Sequence, residues 1–261
     1  STILLKDLAL RLKLSDTSLL LSICRFLFEN IGSLVAPKRI ADYLNAQGRK
    51  CDVKTVDKYL NALMDCFVLY EARRFDIHGK AELARLEKYY LVDLGLRRTV
   101  LGNKAMDVGH TLENVVYLEL LRRGFEVYVG RVDQTEVDFV AKSADGYQYI
   151  QVSATVRDPD TLARELMPLQ NIKDHYPKLL LTLDDDPDMD HDGIRQCNAL
   201  EWLLTRKPCG SSRRRRRHLA CMAPIARYSR QWMQVPSSFD PSPRAAALRF
   251  FMKIRQIKAF L

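Results

Sequence analysis

Apolar positions in the first third of the chain recur at helical spacing. Over residues 18–30, Leu19, Ile23, Phe26 and Leu27 fall on one face, and Gly32 ends the segment. Pro37 suits the first turn of a second helix whose apolar face is Ile40, Ala41 and Leu44, stopped by Gly48. Asp52 is placed to cap a third helix with Val56, Tyr59, Leu60 and Leu63 turned inward. The pattern then changes. Residues 67–70 (F-V-L-Y) and 89–92 (Y-Y-L-V) are short apolar runs of strand type.

From residue 109 onward helix and strand periodicities alternate. Residues 112–122 predict a helix, 126–130 a strand, and 136–153 two strands joined by a turn at Asp145-Gly146, a dipeptide that favours tight hairpins. A helix over about 160–174, a strand over 178–183 and a last helix near 193–204 follow. Three helices and a β wing predict a winged helix-turn-helix over residues 1–100. The alternating segment predicts an α/β domain with a mixed sheet over 101–204. At Gly210-Ser211-Ser212 the texture shifts to a run of five arginines at 213–217 and a Pro/Ser-rich stretch at 236–243, the composition of a linker or disordered tail over 205–261. Residues 244–261 scatter Leu248, Phe251, Ile254 and Ile257 among basic residues, a pattern that suits nonspecific contact with nucleic acid or an anionic surface. The blander reading is an extension without a selected role.

Charge changes this picture in one respect. The chain carries a formal +9, but Thr205 onward holds 14 basic side chains and a single acid, Asp240. Residues 1–204 are therefore net −4, so the basicity belongs to the tail and does not mark the folded body as a nucleic-acid binder. No apolar run is long enough to cross a bilayer, and six cysteines without a C-x-x-C pair predict buried thiols of a cytoplasmic protein. No G-x-x-x-x-G-K-[ST] occurs, so ATP is not expected to bind this chain through a P-loop.

The candidate chemistry lies in E-V-D-F-V-A-K-S-A-D-G-Y-Q-Y-I-Q-V-S. Strand geometry brings Asp138 near Gln151 across the hairpin, with Ser153 two residues further on the same face. A carboxylate on one strand, then Glu or Gln, any residue and Lys on the next, is the metal-site layout of restriction-endonuclease-like folds. Here serine stands at the lysine position. Acids inside an apolar strand are costly unless a metal or cation meets them. Against this, Asp138 and Gln151 would serve equally well to satisfy buried polar groups of the hairpin. Asp184-Asp185-Asp186 reads as a solvated loop at a strand end, and Arg164 with Glu165 as an ion pair.

R-F-L-F-E-N-I-G, T-V-D-K-Y-L-N-A-L, K-Y-Y-L-V-D-L-G-L, G-H-T-L-E-N-V-V-Y-L-E-L-L-R-R-G, E-V-D-F-V, Y-I-Q-V-S, A-R-E-L-M-P-L and I-K-D-H-Y-P-K follow in an order that resembles the C-terminal region of prokaryotic predicted AAA+ ATPases. The resemblance runs over about residues 3–204. It implies a winged helix followed by a restriction-endonuclease-like domain, coupled to an ATPase module on the same chain or a separate one. It adds Glu113 as a helix carboxylate to Asp138, Gln151 and Ser153, with Mg²⁺ as the cation such a centre takes. Gln151 is a neutral ligand and Ser153 brings no positive charge, which weakens cation binding and transition-state stabilisation; Lys142 or Arg164 would have to substitute. On the third helix Lys54, Thr55, Lys58 and Asn61 form the outer face expected to meet DNA, with Arg49 and Lys50 beside it for phosphates. The expected function is a non-catalytic module recognising DNA or a partner protein. The alternatives are a Mg²⁺-dependent nuclease and a protein-interaction scaffold.

Overall fold

A computed structural model of the chain describes residues 16–102 and 107–205. The tail from residue 206, with its arginine run and the 244–261 segment, lies outside the described residues.

Three helices open the structure: α1 (Thr17–Glu29), α2 (Pro37–Ala46) and α3 (Val53–Asp65). Asp16 caps α1 by accepting from the Leu19 amide at 2.8 Å, and Asp52 caps α3 by accepting from the Thr55 amide at 2.7 Å. Their inward faces form one cluster that includes Leu20, Ile23, Leu27, Ile40, Leu44, Val56, Leu60 and Leu63. Two-residue β1 (Leu34–Val35) and the long hairpin of β2 (Leu69–Asp76) and β3 (Ala81–Leu91) complete this half. Both hairpin strands run several residues further than the apolar runs at 67–70 and 89–92 indicate: β2 alternates polar positions with buried Ala72 and Phe75, and Ala81, Glu82 and Leu83 of β3 pair with its far end.

Helices α4 (Leu94–Leu101) and α5 (Val108–Arg122) lead into β4 (Glu126–Val132), β5 (Thr135–Ser143) and β6 (Gly146–Val152). Then come α6 (Pro159–Gln170), β7 (Lys178–Thr182), β8 (Met189–His191), β9 (Ile194–Asn198) and α7 (Ala199–Leu204). The expected helix over 193–204 is thus half strand: Cys197 and Asn198 pair beside β7, and only the last six residues are helical. The 143–146 turn places Ala144 and Asp145 in the loop, with Ser143 opposite Gly146. Gly146 takes φ +117° and lies against the Tyr176 ring, a space that a Cβ would fill.

Among the described residues, nine strands form one mixed sheet in the order β1-β3-β2-β4-β5-β6-β7-β9-β8. It is continuous across residue 100, since residues 74–76 of β2 run parallel to residues 129–131 of β4. One face packs Val116, Tyr117 and Leu120 of α5 against Tyr90, Phe139, Ile150 and Leu181. The other packs Leu166 and Leu169 of α6 against Val137, Val140, Tyr149 and Leu180.

Within β3 the pairing slips. Lys88 lies opposite Ala72 and Leu83 opposite Arg74, so four residues of β3 face a single residue, Arg73, of β2. Leu86, in this bulge, has φ +63°. Lys88 stands five positions after Leu83, an odd step, yet their β2 partners are two apart and share a face. The bulge therefore reverses the alternation and turns Lys88 toward the α5 side.

Candidate functional site

Helix α5 and strand β5 both bring carboxylates to Lys88 of β3. Its side chain is 4% exposed, and its ammonium lies 2.8 Å from Glu113 Oε1 on α5, 2.6 Å from Glu136 Oε1 and 3.6 Å from Asp138 Oδ1, both on β5. Tyr90 Oη, fully buried two residues along β3, donates to the same Glu113 oxygen at 2.6 Å. The second Glu113 oxygen faces Gly32, where a Cβ would approach it to 2.9 Å, so this glycine (φ +72°) leaves room for the carboxylate.

Asp138 is held by the hairpin. Its Oδ2 accepts from the Val152 amide at 2.9 Å, and its own amide donates to Gln151 Oε1 at 3.2 Å. Gln151 Nε2 in turn donates to Glu165 Oε2 on α6 at 2.9 Å. The structure thus brings Glu113, Asp138 and Gln151 together, as expected. Ser153 is drawn away: its hydroxyl donates to the Thr155 carbonyl at 3.0 Å.

The positive charge missing at Ser153 comes from neither of the two expected substitutes. Lys142 pairs with Glu126 at 3.1 Å on the exposed end of the hairpin, and Arg164, 69% exposed, reaches Glu165 at 3.2 Å. It comes from Lys88, which sequence reasoning passed over because Lys88 begins the apolar run K-Y-Y-L-V. The usable signal was the cost of the acids in E-V-D-F-V, which calls for a cation, together with a lysine at the edge of a buried strand. Glu165 is the other missed member. Asp184 is no solvated loop residue: it is 6% exposed and accepts from Thr155 Oγ1 at 2.7 Å and the Val156 amide at 2.8 Å, which fixes the segment after β6.

The electrostatics follow from burial. Burial and the neighbouring Glu113 charge raise the Asp138 carboxyl to about 8, against the opposing pull of Lys88 and the Val152 amide. Burial disfavours the Lys88 charge, but Glu113, Asp138 and Glu136 outweigh it and hold the ammonium well above the ordinary lysine range. Burial, reinforced by Glu113, likewise keeps the Tyr90 phenol protonated.

The Mg²⁺ implied by the resemblance does not fit this arrangement. Magnesium requires oxygens at about 2.0–2.1 Å and calcium at about 2.3–2.6 Å. Here the oxygens surround an ammonium nitrogen at 2.6, 2.8 and 3.6 Å. Among the described residues, no group of three or more His, Cys, Asp or Glu side chains is arranged to hold a metal ion.

On α3, Lys54, Lys58 and Asn61 are exposed and Thr55 is half-buried, with Lys50 exposed just before the helix. Arg49 is partly engaged: its Nη2 donates to Ser18 Oγ at 2.8 Å. At the far end of the β2–β3 hairpin, Lys80 Nζ lies 2.7 Å from Tyr149 Oη and 2.8 Å from Asp174 Oδ2, above the Tyr147 ring at 4.8 Å. The tip is thereby fastened to β6 and the segment before β7.

Among the described residues no helix is long and apolar enough to cross a membrane. No solved structure matches the chain. An uncharacterized protein of Haemophilus influenzae is 39% identical over 203 residues, covering 78% of this chain and 50% of that protein. The chain thus spans about half the length of the curated relative it matches. Residues 1–107 match a family model described as a domain of unknown function (DUF8612).

Proposed function

We propose that this chain is a non-catalytic recognition module that binds duplex DNA through the outer face of α3, within a protein of the AAA+ ATPase type that the sequence resembles. The observation that carries this reading is the Lys88 ammonium seated among Glu113, Glu136 and Asp138. The centre that would bind a catalytic cation in a restriction-endonuclease-like fold already holds a cation from within the chain. What stays open to a large partner is the row of Lys50, Lys54, Lys58 and Asn61. Three helices followed by a hairpin support the winged-helix reading, in which such a row lies along the major groove. The fastened hairpin tip supports α3, rather than the wing, as the contact element.

Residues 1–204 at −4 provide little long-range attraction, so the part of the binding that α3 contributes is expected to be weak beside that of the basic tail and strongly dependent on salt. The test is fluorescence anisotropy of the full chain on duplex DNA over a salt series, beside Lys54→Ala/Lys58→Ala. Weaker binding, with a salt slope reduced by about one for each phosphate no longer neutralised, supports DNA recognition through α3. Binding that is unchanged by the two substitutions sinks it and leaves a protein partner as the ligand of this face.

A second reading, a Mg²⁺-dependent nuclease, draws on the same lysine: Lys88 supplies the positive charge absent at Ser153. Cleavage of nucleic acid by the full chain in Mg²⁺ or Mn²⁺, abolished by Asp138→Asn, would establish that reading and end the non-catalytic one.

A further inference from the structure

The carboxylates of this centre come from α5 and β5, and their cation from β3. Lys88 reaches them only because the β3 bulge reverses the strand's alternation. Once there, it is almost fully enclosed and donates to two carboxylates at short distance. Tyr90 holds Glu113 Oε1 toward the ammonium, and the Val152 amide holds Asp138 in place. Glu136, with a side chain 36% exposed, is the most open of the three acids, while Asp138 is 13% exposed. These groups surround one cation, and that cation is covalently part of the chain. A divalent ion entering the centre would have to displace a buried ammonium and leave that charge without partners, which is strongly unfavourable.

We infer that Lys88 is the resident cation of the Glu113–Glu136–Asp138 centre and that its ammonium excludes divalent metal ions from it. This deepens the non-catalytic reading above and rests on it. Removing the ammonium while keeping the stem opens the centre: Lys88→Met leaves three carboxylate groups around an uncompensated space, which a hard cation can enter.

The test is Mn²⁺ titration of the full chain by calorimetry and by electron paramagnetic resonance. The native protein is expected to show no Mn²⁺ site that depends on Asp138. Lys88→Met is expected to bind Mn²⁺ at least roughly tenfold more tightly, equivalent to about 1.4 kcal/mol, and to lose the gain when Asp138→Asn is added. Where Lys88→Met fails to fold in chelator, Mn²⁺ is expected to restore a cooperative melt. Neither binding nor rescue in Lys88→Met overturns the inference, as does an Asp138-dependent Mn²⁺ site in the native protein. Failure here is separable from failure of the function. A native protein without nuclease activity, beside a Lys88→Met variant that takes no metal, sinks this inference alone; Asp138-dependent cleavage by the native protein sinks the non-catalytic reading with it.

Discussion

Lys88 and Glu136 meet at 2.6 Å although two strands, β2 and β4, separate their own strands in the sheet. The approach is possible because β2 and β4 pair over only three residues, 74–76 with 129–131. Lys88 lies on the other side of the register slip from that pairing, opposite Ala72. There the hairpin packs onto the α5 face, where the Tyr90 and Tyr117 rings stack at 4.1 Å. One ammonium thereby links α5 and β5 to β3.

Lys88→Met, measured without metal, is expected to be strongly destabilising. Removing one partner of a buried ion pair leaves the others uncompensated and costs about 3–5 kcal/mol. Lys80→Met removes a pair that is about one-third exposed, where solvent screening reduces the loss to about 1 kcal/mol or less. Urea unfolding of both variants checks the order; equal losses would show that the Lys88 centre is no more stabilising than a surface pair.

Tyr90→Phe deletes a hydroxyl and little else. Glu113 keeps its ammonium partner but loses a buried hydrogen bond, so the expected cost is about 1–3 kcal/mol. The loss should be much smaller in a Glu113→Gln background, and a double-mutant cycle measures that coupling.

The pH dependence has a defined sign. Asp138 titrates near 8 when folded and at the ordinary carboxylate value when unfolded, so between about 4 and 8 the folded state binds more protons. Its contribution to stability therefore falls as pH rises through that window and is flat above it. Relative to Asp138→Asn, the native protein should gain stability as pH is lowered from 8 to 5. A difference that stays constant with pH would place the proton elsewhere.

Gly146→Ala meets two obstacles, a positive φ and the Tyr176 ring. Backbone strain of this type costs about 1–3 kcal/mol before any clash. A loss of thermal stability in Gly146→Ala that Tyr176→Ala partly relieves would separate the two contributions.

The first three helices were legible because each carries a full apolar face, from Leu20 to Leu63, and two of them an aspartate cap. Asp138 and Gln151 were legible for a similar reason: a hairpin fixes neighbours by register alone. Lys88 was not. It sits 25 residues before Glu113 and 50 before Asp138, and its orientation depends on an odd-length bulge for which strand alternation gives no sign. Glu165 was hidden likewise, since helix periodicity marks its face but not the strand beneath. Asp184 looked solvated because three consecutive acids suggest water; the first of them is taken inward by the Thr155 hydroxyl and the Val156 amide.

The slip in β3 also separates two measurements along the same strand. The tip is indexed by Lys80 against Tyr149 and Asp174, the base by Lys88 against its carboxylates, and residues 84–87 lie between the two anchors, with Glu87 paired to Val35 of β1. A gain or loss of one residue in that stretch would turn the odd step from Leu83 to Lys88 into an even one and reverse the face of Lys88 relative to the tip. The same change between Lys88 and Leu91, where each residue is matched to β2, would carry the ammonium out of reach of Glu113. The length of β3 between the two lysines is therefore fixed by both anchors.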